Sequence, residues 1–172
     1  MFYLKRIKCW IYFLFRHLGI FVIPEKTISN FLKTVEKIFR EDSLEIPSYT
    51  QIVDDEGNIL GEAFNSVEGS MRTSNHSEVR AIEIAQDSLR GKFLYKTHLL
   101  TVLEPCTMCA GAIIQARVES VTYFAEQKKI PGISRFSLEY ILASNHFPTL
   151  RYIPDPSVEI AIQQFFQNLR KQ

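Results

Sequence analysis

The chain has 172 residues, of which 46% are hydrophobic and 23% are charged, and this balance excludes an intrinsically disordered protein. Its three cysteines are too few for a disulfide framework, so we expect a soluble globular protein of a reducing, cytoplasmic compartment. The net charge of +1 is unevenly distributed, because residues 1–40 hold eight Lys and Arg against two acids, whereas the remaining residues carry a net charge of −5. We therefore expect any polyanion to bind toward the N-terminal end of the sequence.

The first 23 residues differ in composition from the rest, because they contain seven aromatic residues, four basic residues and no acid. Arg16 interrupts the apolar run, which is therefore shorter than the roughly 18–20 residues that a membrane span needs. On a helical wheel Lys5, Lys8 and Arg16 share one face, and apolar residues share the opposite face. Three interpretations of this amphipathic segment remain open: docking on its own domain or on a second subunit, which we favour, contact with RNA, and contact with an anionic membrane.

We place a domain boundary at Pro24, so that an extension over 1–24 precedes one domain over 25–172. Within this domain the spacing of apolar residues predicts five helices and five strands. The helices are predicted over 27–41, 76–90, 105–117, 134–143 and 156–170, and the strands over 47–53, 59–64, 99–103, 118–125 and 150–153. Their order, α-β-β-α-β-α-β-α-β-α, predicts an α/β fold in which one mixed five-stranded sheet lies between layers of helices.

Local signals predict how several of these elements begin and end. Thr27 or Ser29 is expected to cap the first helix. Gly91 is expected to end the second helix, and Pro105 is expected to open the third, where its restricted φ suits the first turn. Residues 65–75 are expected to form a polar loop.

Two short motifs lie at the starts of consecutive predicted helices, His76-Ser77-Glu78 and Pro105-Cys106-Thr107-Met108-Cys109. With this composition an H-x-E arises by chance in roughly one such sequence in three, whereas a P-C-x-x-C arises in only about a few per thousand. The second motif is therefore the stronger signal. A thioredoxin-like redox pair lacks its usual βαβ context here, and a structural zinc finger lacks its second C-x-x-C.

The residue types and spacing favour a zinc ion with one open coordination position. Cys106 and Cys109 lie on a first helical turn and point the same way, and the helix N-terminus favours their thiolate forms. His76 can supply a third ligand, which leaves the fourth position for a water whose pKa zinc lowers to about 7. Glu78 is then placed to take the proton of this water and return it to a leaving amine. Taken singly, a histidine or a glutamate at a helix start is more often a cap, but the combination favours catalysis.

H-x-E followed by P-C-x-x-C is the signature of zinc-dependent nucleobase deaminases, and the run over 103–114 resembles the bacterial tRNA-specific adenosine deaminases. The resemblance extends over about residues 27–170. It implies a three-layer α/β/α cytidine-deaminase-like fold, a homodimer, one Zn²⁺ per chain, and conversion of adenosine to inosine at the wobble position of tRNA. The expected partner is therefore the tRNA anticodon arm. The resemblance also implies a substrate-binding asparagine, which falls on Asn65, although a simple turn residue is the alternative there.

The sequence departs from the family pattern around the expected pocket. Ser48-Tyr49-Thr50-Gln51 stands where a Gly-Ala pair is usual, and Ser77 stands where the family has the alanine of H-A-E. The loop over 126–132 is also shorter than the Gly-rich RNA-contacting segment of the family. These changes leave the chemistry intact but admit a second hypothesis, a deaminase of a free base or nucleoside such as cytosine or guanine. A third hypothesis, a catalytically silent binding subunit with structural zinc, is disfavoured by the presence of Glu78.

Overall fold

A computed structural model describes residues 23–39 and 43–170 of the chain. The predicted amphipathic segment, up to residue 22, lies outside the described residues, so its three interpretations stay predictions. Among the described helices, none combines the length and the apolar character needed to cross a membrane.

Five strands form one mixed sheet in the order β2-β1-β3-β4-β5. They are β1 (Tyr49–Asp54), β2 (Ile59–Phe64), β3 (Thr97–Leu103), β4 (Ser120–Ala125) and β5 (Thr149–Tyr152). β1 runs antiparallel to both of its neighbours, whereas β3, β4 and β5 are parallel. Every residue of β3 is buried, as expected for a central strand that is covered on both faces. The predicted mixed five-stranded sheet is therefore confirmed.

Helices cover both faces of the sheet. The described helices are α1 (Glu25–Ile38), α2 (Val67–Ser70), α3 (Ser77–Leu89), α4 (Thr107–Ala116), α5 (Leu138–Ala143) and α6 (Pro156–Leu169). On one face, α3 and α4 contribute Ile82 and Ile113 to a core that contains Ile52 of β1. On the other face, α1 and α6 contribute Phe31 and Ile162 to a second core. Because successive strand residues point to opposite faces, the two cores are separate, and the α/β/α layering is confirmed.

The start of α1 differs from the sequence prediction. The N-cap position is Pro24, whose carbonyl oxygen accepts hydrogen bonds from the backbone N–H groups of Thr27 and Ile28 at 2.9 and 3.2 Å. Thr27 and Ser29 both lie inside the helix, so the prediction that one of them caps it is wrong. A capping side chain from Thr27 or Ser29 is not needed, because the carbonyl oxygen of Pro24 already accepts N–H groups of the first turn.

The end of α3 and the start of α4 are also shifted by one or two residues. Arg90, with φ 48°, takes the left-handed conformation that was expected of Gly91, because this lets the Gly91 N–H reach the carbonyl oxygen of Gln86 at 3.0 Å. Pro105 lies before α4 and does not open its first turn, since Cys106 is the N-cap residue. The shift places the first cysteine at the helix N-terminus itself.

Two predicted segments are divided differently in the structure. The loop predicted over 65–75 contains α2, because the Glu45 carboxylate accepts hydrogen bonds from the N–H groups of Val67 and Gly69 at its start. The helix predicted over 134–143 is divided into a 3₁₀ turn, Ile133–Arg135, and α5. Ser137 separates them by accepting a hydrogen bond from the Tyr140 N–H as the N-cap of α5.

Candidate active site

His76 and Cys106 occupy equivalent positions on the two neighbouring helices that cover one face of the sheet. His76 is the N-cap residue of α3, Cys106 is the N-cap residue of α4, and Cys109 follows in the first turn of α4. The N-terminus of α4 lies at the carboxyl end of this central strand, because α4 begins just after β3 ends. The N-terminus of α3 lies beside it, since His76 is 3.8 Å from Cys106. The partial positive charge of a helix N-terminus favours an anionic sulfur at this position.

The three donor atoms form a small triangle. The Sγ atom of Cys106 lies 3.6 Å from Sγ of Cys109 and 3.8 Å from Nδ1 of His76, and Sγ of Cys109 lies 3.5 Å from the same nitrogen. A tetrahedral zinc ion, with bonds of about 2.3 Å to sulfur and about 2.0 Å to nitrogen, spaces its ligand atoms by about 3.5–3.8 Å. Two sulfurs and one imidazole nitrogen are also donors that zinc prefers. The site therefore fits zinc in both spacing and chemistry.

The two thiols of this triangle have opposite tendencies to ionise. Hydrogen bonds from Cys109 and His76 lower the pKa of Cys106 to about 4. The pKa of Cys109 is raised, first by its hydrogen bond to Cys106 and then by burial. The hydrogen bond to Cys106 also raises the pKa of His76. Cys106 is therefore the thiol that ionises more readily, and a bound cation would favour the thiolate form of both cysteines.

Glu78 lies beside this triangle in the first turn of α3 and is only 5% exposed. Burial raises the pKa of its carboxyl group, because the charged form loses its hydration. The carboxylate is close enough to Cys109 to raise the pKa of that thiol further. A buried carboxyl group with a raised pKa beside these three donor atoms is suited to accept a proton and return it.

Asn65 directly follows β2 and lines a cavity whose wall includes neither cysteine. Its Nδ2 donates a hydrogen bond to Oε2 of Glu45 at 2.8 Å, which holds the amide in one orientation. Asn65 lines a cavity of about 290 Å³ together with Ser48, Phe64 and Phe165. Ser48 connects this cavity to the motif on α3, because its Oγ lies 3.0 Å from Oγ of Ser77.

Sequence reasoning missed two carboxylates that organise the loops around the site. Glu45 anchors Asn65 and α2, and no local pattern links residues that lie 20 positions apart. Glu104, which is 2% exposed, accepts hydrogen bonds from the N–H of Gln127 and from the N–H and Oγ of Ser134. The sequence offered one signal for Glu104: it is an acidic residue that follows an apolar strand and directly precedes Pro-Cys.

A family model of the cytidine and deoxycytidylate deaminase zinc-binding region matches residues 26–125. A tRNA-specific adenosine deaminase of Aquifex aeolicus is 35% identical over 120 residues, which are 69% of this chain and 80% of the relative. A tRNA-specific adenosine deaminase of Haemophilus influenzae is 33% identical over 132 residues, which are 74% of this chain and 75% of the relative.

Solved structures of deaminases share the fold. A structure from a study of A-to-I editing by tRNA:A34 deaminases at the wobble position of transfer RNA superposes with a TM-score of 0.58 and 26% identity, over 69% of this chain and 84% of the other. A guanine deaminase from Nitrosomonas europaea superposes with a TM-score of 0.64 and 21% identity, over 83% of this chain and 84% of the other. At this identity the second likeness concerns the fold alone.

Proposed function

Since the chain belongs to the cytidine and deoxycytidylate deaminase zinc-binding family, and within it to the tRNA-specific adenosine deaminases, we propose that it converts adenosine to inosine at the wobble position of tRNA. The observation that carries this function is the triangle of His76, Cys106 and Cys109 beside the buried carboxyl group of Glu78. Hydrolytic deamination needs an activated water and a group that moves a proton, and this arrangement offers a place for both.

In this function His76, Cys106 and Cys109 would hold one zinc ion per chain, and the bound ion would lower the pKa of a water toward neutrality. The carboxylate of Glu78 would accept a proton from the attacking water as the water oxygen bonds to C6 of adenine. It would then donate this proton to the amino group as the C6–N bond breaks and ammonia leaves. Burial supports this role, because the raised pKa of Glu78 makes its protonated form accessible between the two transfers.

The target base reaches the site from outside a duplex, since C6 of a stacked and paired adenine is inaccessible. The cavity beside Asn65 is the proposed entry, because Ser48 belongs both to its wall and to the contacts of α3. We assign Asn65 to substrate binding. Its amide is held by Glu45, so the group that meets the substrate is oriented before binding.

We propose that the tRNA anticodon arm is the partner and that two copies of the chain form a cytoplasmic homodimer. An open face of α4 supports the homodimer: Met108 is 41% exposed, and a Cβ at Gly111 would meet no atom within 4 Å. The basic residues of the N-terminal segment remain candidates for RNA contact or for docking, whereas membrane contact is not favoured.

Ammonia release by the zinc-loaded full chain tests the function. The substrates are an anticodon stem-loop RNA with adenosine at the wobble position, the same RNA with guanosine there, and a panel of free bases and nucleosides. We expect ammonia and inosine from the first RNA only. Ammonia from free guanine or cytosine alone would favour the second hypothesis, and no ammonia from a zinc-loaded protein would favour a silent binding subunit.

A further inference from the structure

A cluster of buried hydroxyl groups lies directly behind Glu78. Its members are Ser48, Thr50, Ser77 and Thr101, which are 7%, 0%, 0% and 0% exposed. Oγ of Ser77 lies 3.0 Å from Oγ of Ser48 and 2.8 Å from Oγ1 of Thr50. Thr50 also lies 3.1 Å from Oγ1 of Thr101. The cluster therefore joins β1, β3 and the start of α3.

Ser77 connects this cluster to the carboxyl group. Its Oγ donates a hydrogen bond to Oε2 of Glu78 at 3.1 Å. A hydroxyl has one proton and two lone pairs, so once Ser77 donates to the carboxylate it accepts from Ser48, whereas Thr50 donates its own proton to Oγ1 of Thr101. The proton and one lone pair of Ser77 are then used, and Thr50 lies against it at 2.8 Å.

Burying four hydroxyl groups in this space carries a desolvation free-energy cost. Alanine and valine would occupy these buried positions without the cost of removing polar groups from water. Within the described part of the chain, every buried side-chain nitrogen and oxygen has a hydrogen-bond partner, so the cluster is fully satisfied. A satisfied polar network of this kind is rigid and holds its members in one arrangement.

We propose that Ser77 is a positioning residue, whose hydroxyl, itself held by Ser48, fixes the Glu78 carboxylate in the orientation that proton transfer requires. The inference rests on the proposed function, because it assigns to Glu78 the proton transfer described above. The side chain of a glutamate has three rotatable bonds, and a proton-transferring group works only within hydrogen-bond reach of its partner.

Kinetics of Ser77→Ala test the proposal on the zinc-loaded full chain with the stem-loop RNA. We expect kcat to fall roughly tenfold to a hundredfold with KM changed by less than about twofold, because binding is intact and only the orientation is lost. The matched control is Ser120→Ala, the same chemical change at a hydroxyl 2.8 Å from Nδ1 of the buried His98. It is expected to lower stability without lowering kcat. Equal kcat in wild type and Ser77→Ala would overturn the proposal.

A double-mutant comparison separates positioning from a general structural effect. In a Glu78→Gln background, single-turnover rates are expected to change less than about twofold on adding Ser77→Ala, because the group that Ser77 orients is already absent. A full additive loss would overturn the proposal. Should Ser77→Ala fail to fold, Ser48→Ala keeps Ser77 and removes the hydroxyl that donates to it, so a smaller loss of kcat is expected, and an unchanged kcat counts against the proposal.

Crystal structures of the zinc-loaded wild type and Ser77→Ala provide a readout that needs no substrate. We expect one conformation of Glu78 in the wild type and several in the variant. One identical conformation in both would overturn the proposal. Failure of the proposed function would instead appear as a wild type that releases no ammonia from the RNA, so the two failures are distinguishable.

Discussion

At the scale of single residues, buried carboxylates hold the loops on either side of the site. Glu104 receives hydrogen bonds from Gln127 and Ser134 and so ties the segment after β4 to the end of β3. Its carboxyl group also explains Gly132, because a Cβ there would lie 2.2 Å from the carboxyl carbon. Any other residue at position 132 would require the Glu104 carboxyl group to move away from its hydrogen-bond donors.

Glu104→Gln is expected to lower the free energy of unfolding by about 1–3 kcal/mol, because the amide NH₂ group would face an N–H donor in either orientation. Urea unfolding of the two proteins measures the difference. The same change at exposed Glu83 of α3 is the control and is expected to have little effect. Equal stabilities for the wild type and Glu104→Gln would contradict the role of this carboxylate.

Glu78→Gln tests the proton transfer, because it replaces one carboxylate oxygen by an amide NH₂ group. The variant is expected to keep its fold and its zinc but to lose turnover by a factor of about 100–10,000, because an amide cannot accept and return the proton. Zinc content, melting temperature and ammonia release are measured on one preparation. Turnover near that of the wild type in a folded, zinc-loaded variant would mean that another group moves the proton.

At the scale of elements, the first turn of α4 concentrates the ligand chemistry. Cys106→Ala and Cys109→Ala are each expected to lose stoichiometric zinc and to melt at a lower temperature, because the free energy of metal binding contributes to folding. Metal analysis and thermal unfolding are the measurements. Met108→Ala changes a residue between the two cysteines on the same turn and is the matched control for zinc content, since its thioether is not one of the three donors. A cysteine variant that retains full zinc would show that the ligand set is different.

The amino end of β3 contains a buried histidine that makes stability depend on pH. Burial lowers the pKa of His98, which outweighs the opposite effects of Asp55 and Glu119, while Arg151 adds to the lowering. Its ring lies 2.9 Å from Asp55 and 2.8 Å from Ser120. The folded protein therefore favours the neutral ring more than the unfolded chain does.

A lowered pKa in the folded state means that stability is full above the ordinary histidine pKa of 6.5 and is lost as the pH falls below it. We expect the free energy of unfolding to fall between about pH 7.5 and 5.5, and to fall less in His98→Gln, which does not titrate. Urea unfolding at several pH values measures both slopes. Identical slopes in the two proteins would show that His98 does not contribute.

At the scale of the whole molecule, the packed domain includes a residue that the predicted boundary assigns to the extension. Ile23 is 2% exposed and belongs to the core formed by α1 and α6 against the sheet. Pro24 follows it at the start of α1. The core therefore begins at least one residue before the boundary predicted at Pro24.

One truncation and one substitution test this boundary. A chain that begins at Ile23 is expected to fold and bind zinc, because all described elements are retained. Ile23→Ala in that chain is expected to lower the free energy of unfolding by about 2–5 kcal/mol, the usual cost of a cavity in a core. Zinc content and urea unfolding are the measurements. A chain from Ile23 that does not fold would make the preceding segment part of the core.

The order of the elements could be read from the sequence, because the periodicity of apolar residues is a local property that survives without tertiary information. The same holds for the motifs at His76 and Cys106, since each depends on a spacing of two or three residues at a helix start. Helix ends were less predictable. Arg90 takes the left-handed conformation in place of the neighbouring glycine, because a hydrogen bond of the folded turn decides the end of α3.

Local patterns in the sequence were therefore enough to predict the α/β order, the mixed sheet and the residues proposed for zinc and proton transfer. The contact of Glu45 with Asn65, and those of Ser77 with Ser48 and Thr50 behind the carboxyl group of Glu78, arise only in the folded chain. The physical reason is that these contacts join residues 20 to 29 positions apart on different elements, and their partners are chosen by packing of the helices on the sheet. No pattern within a single helix or strand contains that information.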